Sequence, residues 1–342
     1  MDMRHPVSIE TVLSANAPYR SSIPPVEGHG FRPFWSVMIP THEHGKYIAQ
    51  ALRSVLEQDE GPEQMQIEVI DDCSTKEDPY PVVRELAGDR VVFYRQPENV
   101  KHIRNFETCL RRSRGKWVHL LHGDDCVRPG FYKKMKSVIE KNSGIAAAFC
   151  RSIIMDEYGH WQHIDPLECK ENRMLIDWLE EIAIYNRIRT PSMVVNRAVY
   201  EKLGGFDARL SYTEDWEMWA RIATFYPIGY ETEPLAVYRR HSASSTARHK
   251  KTGANLRDMK KAISIILQYV PEKSVKKIGK MALRHQVSGT LYDAKECIEE
   301  GDIASAFHEL KEVVRCPVFS FEIIAKWLIV LGKLAFYRIE NK

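Results

Sequence analysis

Two short apolar runs in this chain each end in a pair of aspartates, and that repetition constrains the fold more than any other feature. Lys116-Trp117-Val118-His119-Leu120-Leu121-His122-Gly123 breaks into a turn at Asp124-Asp125, and a helix pattern starts at Phe131. Gln66-Ile67-Glu68-Val69-Ile70 ends the same way in Asp71-Asp72. Apolar runs this short, bounded by turn residues, read as buried strands. Adjacent carboxylates at a strand's end repel each other, and a bound cation, commonly with a phosphate, relieves the repulsion. A polar turn of solvated acids is the competing reading. In an open α/β sheet the C-terminal edge of the strands is where ligands bind.

The flanking segments extend the pattern. Ser36 to Pro40 reads as a strand, and Gly45 to Gln58 as a helix with Ile48, Ala51, Leu52, Val55 and Leu56 on one stripe. Pro79 to Leu86 predicts a short helix, Arg90 to Tyr94 a strand and Lys101 to Arg112 another helix. Such alternation implies βα units, hence a parallel sheet with right-handed crossovers. In the second half, Ala146 to Cys150 and Ser192 to Val195 read as strands, and Arg197 to Leu203 as a helix. Thr213 is placed to cap a helix from Glu214 to Phe225, with Trp216, Trp219, Ile222 and Ala223 inward. Past Thr246 the pattern is helical: Leu256 to Val270, Ser274 to Glu300 with possible breaks at Gly279 and Gly289, Asp302 to Val314, and Phe319 to Arg338. The chain thus divides into a loose extension over 1–33, an α/β domain over 34–246 and a separate helical tail over 247–342.

The 342 residues carry a formal charge of +3, which argues against a nucleic-acid partner. Seven scattered cysteines without a CxxC pair fit reduced thiols, not a disulfide frame or zinc site. Residues 1–33 show no secretion signal, so a cytoplasmic protein is the expectation. Glu322, Lys326 and Lys333 interrupt the apolar run near the C-terminus, which falls short of the ~20 predominantly apolar residues of a spanning helix. That helix can lie on the inner face of a membrane, pack on its neighbours or pair with another copy; packing or dimerisation is favoured.

A nucleoside diphosphate needs acceptors for its base and ribose and a hard cation for its phosphates. Asp72 can accept from a base N–H, Asp124 from ribose hydroxyls, and Asp125 can bind Mg2+ or Mn2+. Neither GxxxxGK[ST] nor GxGxxG occurs, which leaves the phosphates to a metal.

These residues, in order, resemble the family 2 glycosyltransferases of the GT-A fold. Val37-Met38-Ile39-Pro40-Thr41-His42-Glu43 is similar to the family's first strand, with His42 and Glu43 where Tyr and Asn are usual. Val69-Ile70-Asp71-Asp72-Cys73-Ser74 resembles its Val-x-Asp-Asp-x-Ser signature, and Glu98-Asn99 with Arg104-Asn105 its Asn-x-Gly … Arg-Asn stretch, here without the glycine. His122-Gly123-Asp124-Asp125 occupies the DxD position. Thr190-Pro191-Ser192, Gly204-Gly205-Phe206-Asp207, Glu214-Asp215-Trp216 and Tyr238-Arg239-Arg240-His241 match later motifs.

The resemblance implies a metal-dependent inverting glycosyltransferase, using Mn2+ or Mg2+ to move sugar from a nucleotide donor, a UDP-sugar foremost, to a glycan or lipid-linked acceptor in surface polysaccharide or glycoconjugate synthesis. Asp215 would be the general base. Pro40, Thr41, His42, Glu43, Asp72, Arg104 and Asp124 would line the donor, and Asp124 and Asp125 would meet the metal. Arg239 and His241 would contact the diphosphate from a mobile loop, and Glu214 and Trp216 the acceptor. Trp216 and Trp219 at helical spacing are also ordinary core residues. His102, His119 and His163 have no partner visible in the sequence. The runner-up function is a nucleotide-sugar-binding or assembly protein without turnover.

Overall fold

A computed structural model describes residues 10, 16–28, 30–317 and 320–340, the last six as backbone only. The first strand, β1 (Trp35–Thr41), is buried along its whole length, as is β2 (Met65–Asp71). Strands covered on both faces read as near-continuous apolar runs, which is how they stood out in the sequence. Successive side chains of a strand point to opposite faces. Trp35, Val37 and Ile39 accordingly pack with Ile48, Leu52 and Val55 of α1 (Gly45–Leu56). Met38 faces the other way, into a cluster with Phe106, Cys109 and Leu110.

The chain continues through α2 (Tyr80–Ala87), β3 (Val92–Arg95), α3 (His102–Arg112), β4 (Trp117–Leu120), β5 (Cys126–Val127) and α4 (Phe131–Lys141). The second half adds β6 (Ala147–Met155), β7 (Trp161–Ile164), β8 (Arg173–Leu175), α5 (Leu179–Ile182), β9 (Met193–Asn196), α6 (Arg197–Leu203), α7 (Glu214–Phe225) and β10 (Ile228–Arg239). All ten strands form one sheet, with a spine ordered β3-β2-β1-β4-β9-β6-β10-β5.

The pairs β1–β2, β1–β4 and β2–β3 are parallel, as the βα alternation predicts. The second half of the sheet is mixed. β9 runs antiparallel to both neighbours, β4 and β6, while β10 is parallel to β6. The motif-poor stretch between β6 and β9 brings the chain back in the opposite direction, so no βαβ crossover joins them. Strand order reverses between β1 and β4, and the carboxyl ends of β1, β2 and β4 share one edge. Asp71-Asp72 and Asp124-Asp125 both leave the sheet there.

The helical region comprises α8 (Ser245–Lys251), α9 (Ala254–Ile266), α10 (Glu272–Glu299), α11 (Ile303–Val314) and α12 (Phe321–Glu340). Phe319, the expected start of the last helix, lies outside the described residues. Helix α10 is continuous through Gly279 and Gly289; no foreign atom lies within 4 Å of a Cβ built at Gly289. The region is not a separate tail. Ile263, Ile266 and Tyr269 share a core cluster with Trp216 and Trp219 of α7 and Met193 and Val195 of β9.

A buried ionic network reinforces that joint. Glu217 of α7 accepts from Arg221 at 2.9 Å, from Arg20 at 3.0 Å and from the Tyr269 hydroxyl at 2.5 Å. Residues 16–28 are laid over the domain as expected, but held in place: Ile23 is buried, and Gly205 N–H donates to the Ser21 carbonyl at 2.8 Å. Removing one partner of such a buried pair leaves an uncompensated charge, which is strongly destabilising.

Candidate active site

Gly123 follows β4 (Trp117–Leu120), where the chain passes close to the end of β1. A Cβ there would sit 2.7 Å from the Thr41 hydroxyl oxygen, so only glycine lets the acidic turn approach. The following pair, Asp124 and Asp125, then meets β10 from the other side, because β5 pairs with Ala236 and Val237. Asp125 Oδ1 accepts the Arg239 backbone N–H at 2.8 Å. Its second oxygen, Oδ2, is buried without a hydrogen-bond partner, on a side chain only 1% exposed. Burial and the neighbouring Asp124 push the Asp125 carboxyl well above the usual range. Asp124 moves the other way. Burial opposes its charge, but His44, His241 and His122 outweigh it and hold the carboxyl below its ordinary value.

One buried carboxylate oxygen without a donor, beside a second carboxylate, is a costly arrangement that a divalent cation relieves. Ligand atoms of His122, Asp124 and Asp125 lie within 4.8 Å of one another, as do those of His44, Asp124 and His241. The residues present therefore fit a divalent ion.

Asp72 follows β2 and lies on the same edge. Its oxygens accept the backbone N–H groups of Val100 at 2.7 Å and Lys101 at 3.0 Å, leaving further lone pairs free. Lys101 adopts φ +71°, ψ 162°, a region nearly reserved for glycine, at the position of the glycine in the resembled Asn-x-Gly. His42 spans the same corner: Nδ1 lies 2.8 Å from the Asp72 carbonyl and Nε2 3.0 Å from Asn99 Nδ2.

Glu43 acts as a brace for this loop. Its carboxylate accepts the backbone N–H groups of Thr75, Lys76 and Glu77 at 2.8, 3.0 and 2.8 Å. Partial burial opposes the charge, yet these amides hold the Glu43 carboxyl down at about 2. Pro40 accepts Gly123 N–H through its carbonyl, and the Thr41 hydroxyl is buried without a partner. Arg104 is exposed on α3.

Two expectations about the far side of the site need correction. Arg239 is not on a mobile loop. It ends β10, is buried, and spends its guanidinium on the Asp124 carbonyl at 2.9 Å, on Gln50 and on the face of Tyr47. It positions the acidic turn from behind. Trp216 is not an acceptor contact: it is 1% exposed and donates its indole N–H to the Ile182 carbonyl at 2.6 Å. Consecutive residues on a helix diverge by ~100°, so Asp215 at the cleft forces Trp216 into the core.

Asp215 sits in the first turn of α7. Oδ1 accepts the Trp216 N–H at 2.6 Å, and Oδ2 accepts from Asn186 at 3.0 Å and Thr190 at 3.3 Å. Burial and the adjacent Glu214 push its carboxyl up to about 7. Glu214 stays charged: burial opposes it, but His102, 3.2 Å away, outweighs burial. His102 thus has the partner its sequence context hid. His119 is a core residue between Tyr132 and the Pro191 carbonyl, and His163 lies in the exposed strand β7.

The turn before α7 is not capped by its own Thr213. Asp258 of α9 accepts the N–H groups of Tyr212 and Thr213, each at 3.0 Å, and the Thr213 hydroxyl at 2.8 Å. Sequence reading also missed Arg189. It lies 3.8 Å from Asp165 and over the Tyr238 ring, and its charge favours the ionised forms of both Asp125 and Asp215. The one signal for it was its place just before Thr190-Pro191. Asp72, Asp124 and Asp125 thus leave the sheet at the same carboxyl edge, and Arg189 is near enough to Asp125 and to Asp215 for its charge to act on both.

Among the described residues, no helix is long and apolar enough to cross a membrane. The family model for glycosyl transferase family 2 matches residues 36–204. An uncharacterized protein of Mycobacterium tuberculosis is 27% identical over 248 residues, covering 69% of this chain and 76% of the relative. An uncharacterized glycosyltransferase of Haemophilus influenzae is 23% identical over 296 residues, covering 82% and 91%. Staphylococcus aureus TarS 1–349 in complex with UDP-GlcNAc is similar in structure with a TM-score of 0.63 at 16% identity, covering 87% of each chain. A mannosyltransferase of Pyrobaculum calidifontis in complex with GDP-Man and Mn2+ gives a TM-score of 0.57 at 15% identity, covering 96% of this chain and 91% of that one. Residues 36–204 thus form a glycosyl transferase family 2 domain, and the chain is a glycosyltransferase with the GT-A fold.

Proposed function

We propose that this glycosyltransferase is metal-dependent and inverting, taking a UDP-sugar as donor and a glycan or lipid-linked hydroxyl as acceptor in surface polysaccharide or glycoconjugate synthesis. The observation that carries the reading is the orphaned, buried Oδ2 of Asp125 beside Asp124, on the sheet edge that also holds Asp72. The structurally similar TarS and mannosyltransferase were crystallised with UDP-GlcNAc and with GDP-Man and Mn2+, which supports a nucleotide-sugar donor and a divalent ion.

In this reading Asp72 accepts from the base, with the His42, Glu43 and Asn99 corner holding it in place. Pro40 and Thr41 form the floor beneath the nucleotide, Asp124 serves ribose or metal, and Arg104 reaches phosphate from the rim. A bound Mn2+ or Mg2+ at Asp124 and Asp125 supplies neutralisation of the charge that grows on the departing diphosphate. Asp215 takes the proton of the acceptor hydroxyl as its oxygen attacks the anomeric carbon and the bond to the diphosphate breaks. Asn186 and Thr190 orient the base, and Glu214 keeps its basicity high. The Arg189 charge, which favours the ionised forms of both Asp125 and Asp215, would stabilise the charge that develops during transfer.

A thermal-shift panel of nucleotide-sugars tests the donor and metal together. Specific binding stabilises a fold by ~2.7 kcal/mol at a hundredfold excess over Kd. UDP-sugars should shift the melting point with Mn2+ or Mg2+ and not after chelation, and Asp125→Ala should abolish the shift. An equal shift without metal counts against the metal site, and a shift given by GDP-sugars alone counts against uridine.

A further inference from the structure

The loop that supplies Asn186 to Asp215 is tied to the helical region. Residues 183–189 connect α5 to the turn at Thr190–Ser192, within the motif-poor stretch between β6 and β9. Asn186 Nδ2 donates to Asp215 Oδ2 at 3.0 Å, while Asn186 Oδ1 accepts the Ile188 backbone N–H at 3.2 Å. The second bond occupies the carbonyl end of the amide, so the NH2 end is the one turned to the carboxylate.

Both chain neighbours of Asn186 are pinned. The Tyr185 ring stacks on His285 of α10, with centroids 4.2 Å apart and planes 13° from parallel. The Arg187 guanidinium lies 4.1 Å from the centroid of the same Tyr185 ring. Arg187 also donates to the Glu168 carboxylate at 3.0 Å and to the Glu181 carbonyl at 3.1 Å. One residue before Tyr185, the Ile184 carbonyl accepts from Gln286 of α10 at 3.3 Å. Ser274, three turns back on that helix, donates to Glu180 of α5 at 2.6 Å. Adjacent helix residues diverge by ~100°, so His285 and Gln286 reach two different points of the loop. Burial, Arg187 and Lys326 hold the His285 imidazole below its ordinary value, which leaves a neutral ring in the stack at neutral pH.

We propose that His285 and Gln286 are positioning residues for the transfer reaction: through Tyr185 and Ile184 they hold the Asn186 amide against Asp215, so that the helical region completes the catalytic centre. This rests on the reading of Asp215 as the base. An N–H aimed at a carboxylate favours its ionised form, the one that accepts a proton. Here the Asn186 bond works against burial and the Glu214 charge, which push the Asp215 carboxyl up. A loosened loop therefore tightens proton binding at Asp215 and withdraws the base near neutrality. Glu214, Arg189 and Tyr212 also face Asp215, and substitutions in α10 leave all three in place.

The test reads Asp215 directly in the full chain, without donor or acceptor. In nuclear magnetic resonance of protein labelled with 13C at its aspartate carboxyls, the signal that Asp215→Asn removes reports the titration, with a midpoint of about 7 in the unaltered protein. Asn186→Ala should tighten proton binding at Asp215 about tenfold, the scale of one hydrogen bond to a charged group. His285→Ala and Gln286→Leu should each tighten it about threefold or more. His285→Phe keeps a stacking ring and should return the midpoint to that of the unaltered protein. A lowered melting temperature with an unmoved midpoint in the two α10 variants makes their role purely structural and overturns the proposal. A midpoint in His285→Phe as high as in His285→Ala overturns it too. Neither result touches the base itself, which falls only if Asp215→Asn retains turnover.

Discussion

A carboxyl pushed up to about 7 beside one kept ionised by a histidine is the arrangement expected of a base tuned to work near neutrality. Asp215 must be ionised to accept a proton, so kcat should rise with pH through about 7 and level off above it. Glu214→Gln removes one cause of the elevation and should move that limb to lower pH; an unmoved limb would assign it to another group. Asp215→Asn should keep donor binding and lower kcat by about 100- to 10,000-fold. The stability effect has the opposite sense. Because the folded value lies above the usual 3.8, this group favours the fold at low pH, and that contribution is lost as pH rises through about 7. Asp215→Asn should therefore raise the melting temperature at pH 8 more than at pH 5. Arg189→Ala should lower kcat/KM about tenfold or more while leaving the melting temperature within a few degrees, and Arg189→Lys should restore only part of it. Asp72, Asp124, Asp125 and Asp215 stood out as candidates because each sits in a local pattern. Arg189 was not, because its meaning lies in what the fold places around it.

At the scale of elements, the first half of the sheet follows from local sequence: an apolar run, a turn, and a striped helix repeat, and parallel pairing results. The second half does not, since β9 joins β4 and β6 antiparallel and β10 bends across β6 with register shifts. Helix α7 shows the difference most clearly. Its limits, Glu214–Phe225, match the sequence pattern, but the turn that enters it is capped by Asp258, 45 residues downstream of Thr213. Asp258→Ala leaves buried amides of the 211–213 turn without an acceptor, which should cost about 2–4 kcal/mol. It should also lower kcat more than it raises KM, because Asp215 lies in the first turn that the cap positions. Asp258→Asn should recover part of both. A full loss of stability with unaltered kcat in the surviving folded protein would show that the cap serves folding alone.

Across the whole molecule, the helical region and residues 16–28 are built into the catalytic domain through Glu217 and the shared core around Tyr269. Helix α12 is different. Ile323 and Val330 pack inward, while Phe321, Ile324, Leu328 and Ile329 lie outward, Phe321 at 90% exposure. A continuous outward apolar face favours a partner surface. Ile324→Glu with Leu328→Glu should leave turnover of a soluble acceptor unchanged and reduce self-association in light scattering. Unchanged association with lost retention on anionic vesicles would assign the face to a membrane instead. The sequence alone determined the strand ends, the acidic pairs and the family resemblance, because continuous apolar runs, turn chemistry and carboxylate pairing are local. Tertiary structure decided that Arg239 braces rather than closes, that Trp216 is core, that Asp258 holds the turn before α7 and that two histidines converge on Asp124. Those depend on distances between segments up to 200 residues apart, such as His44 and His241, which only the folded sheet brings within reach.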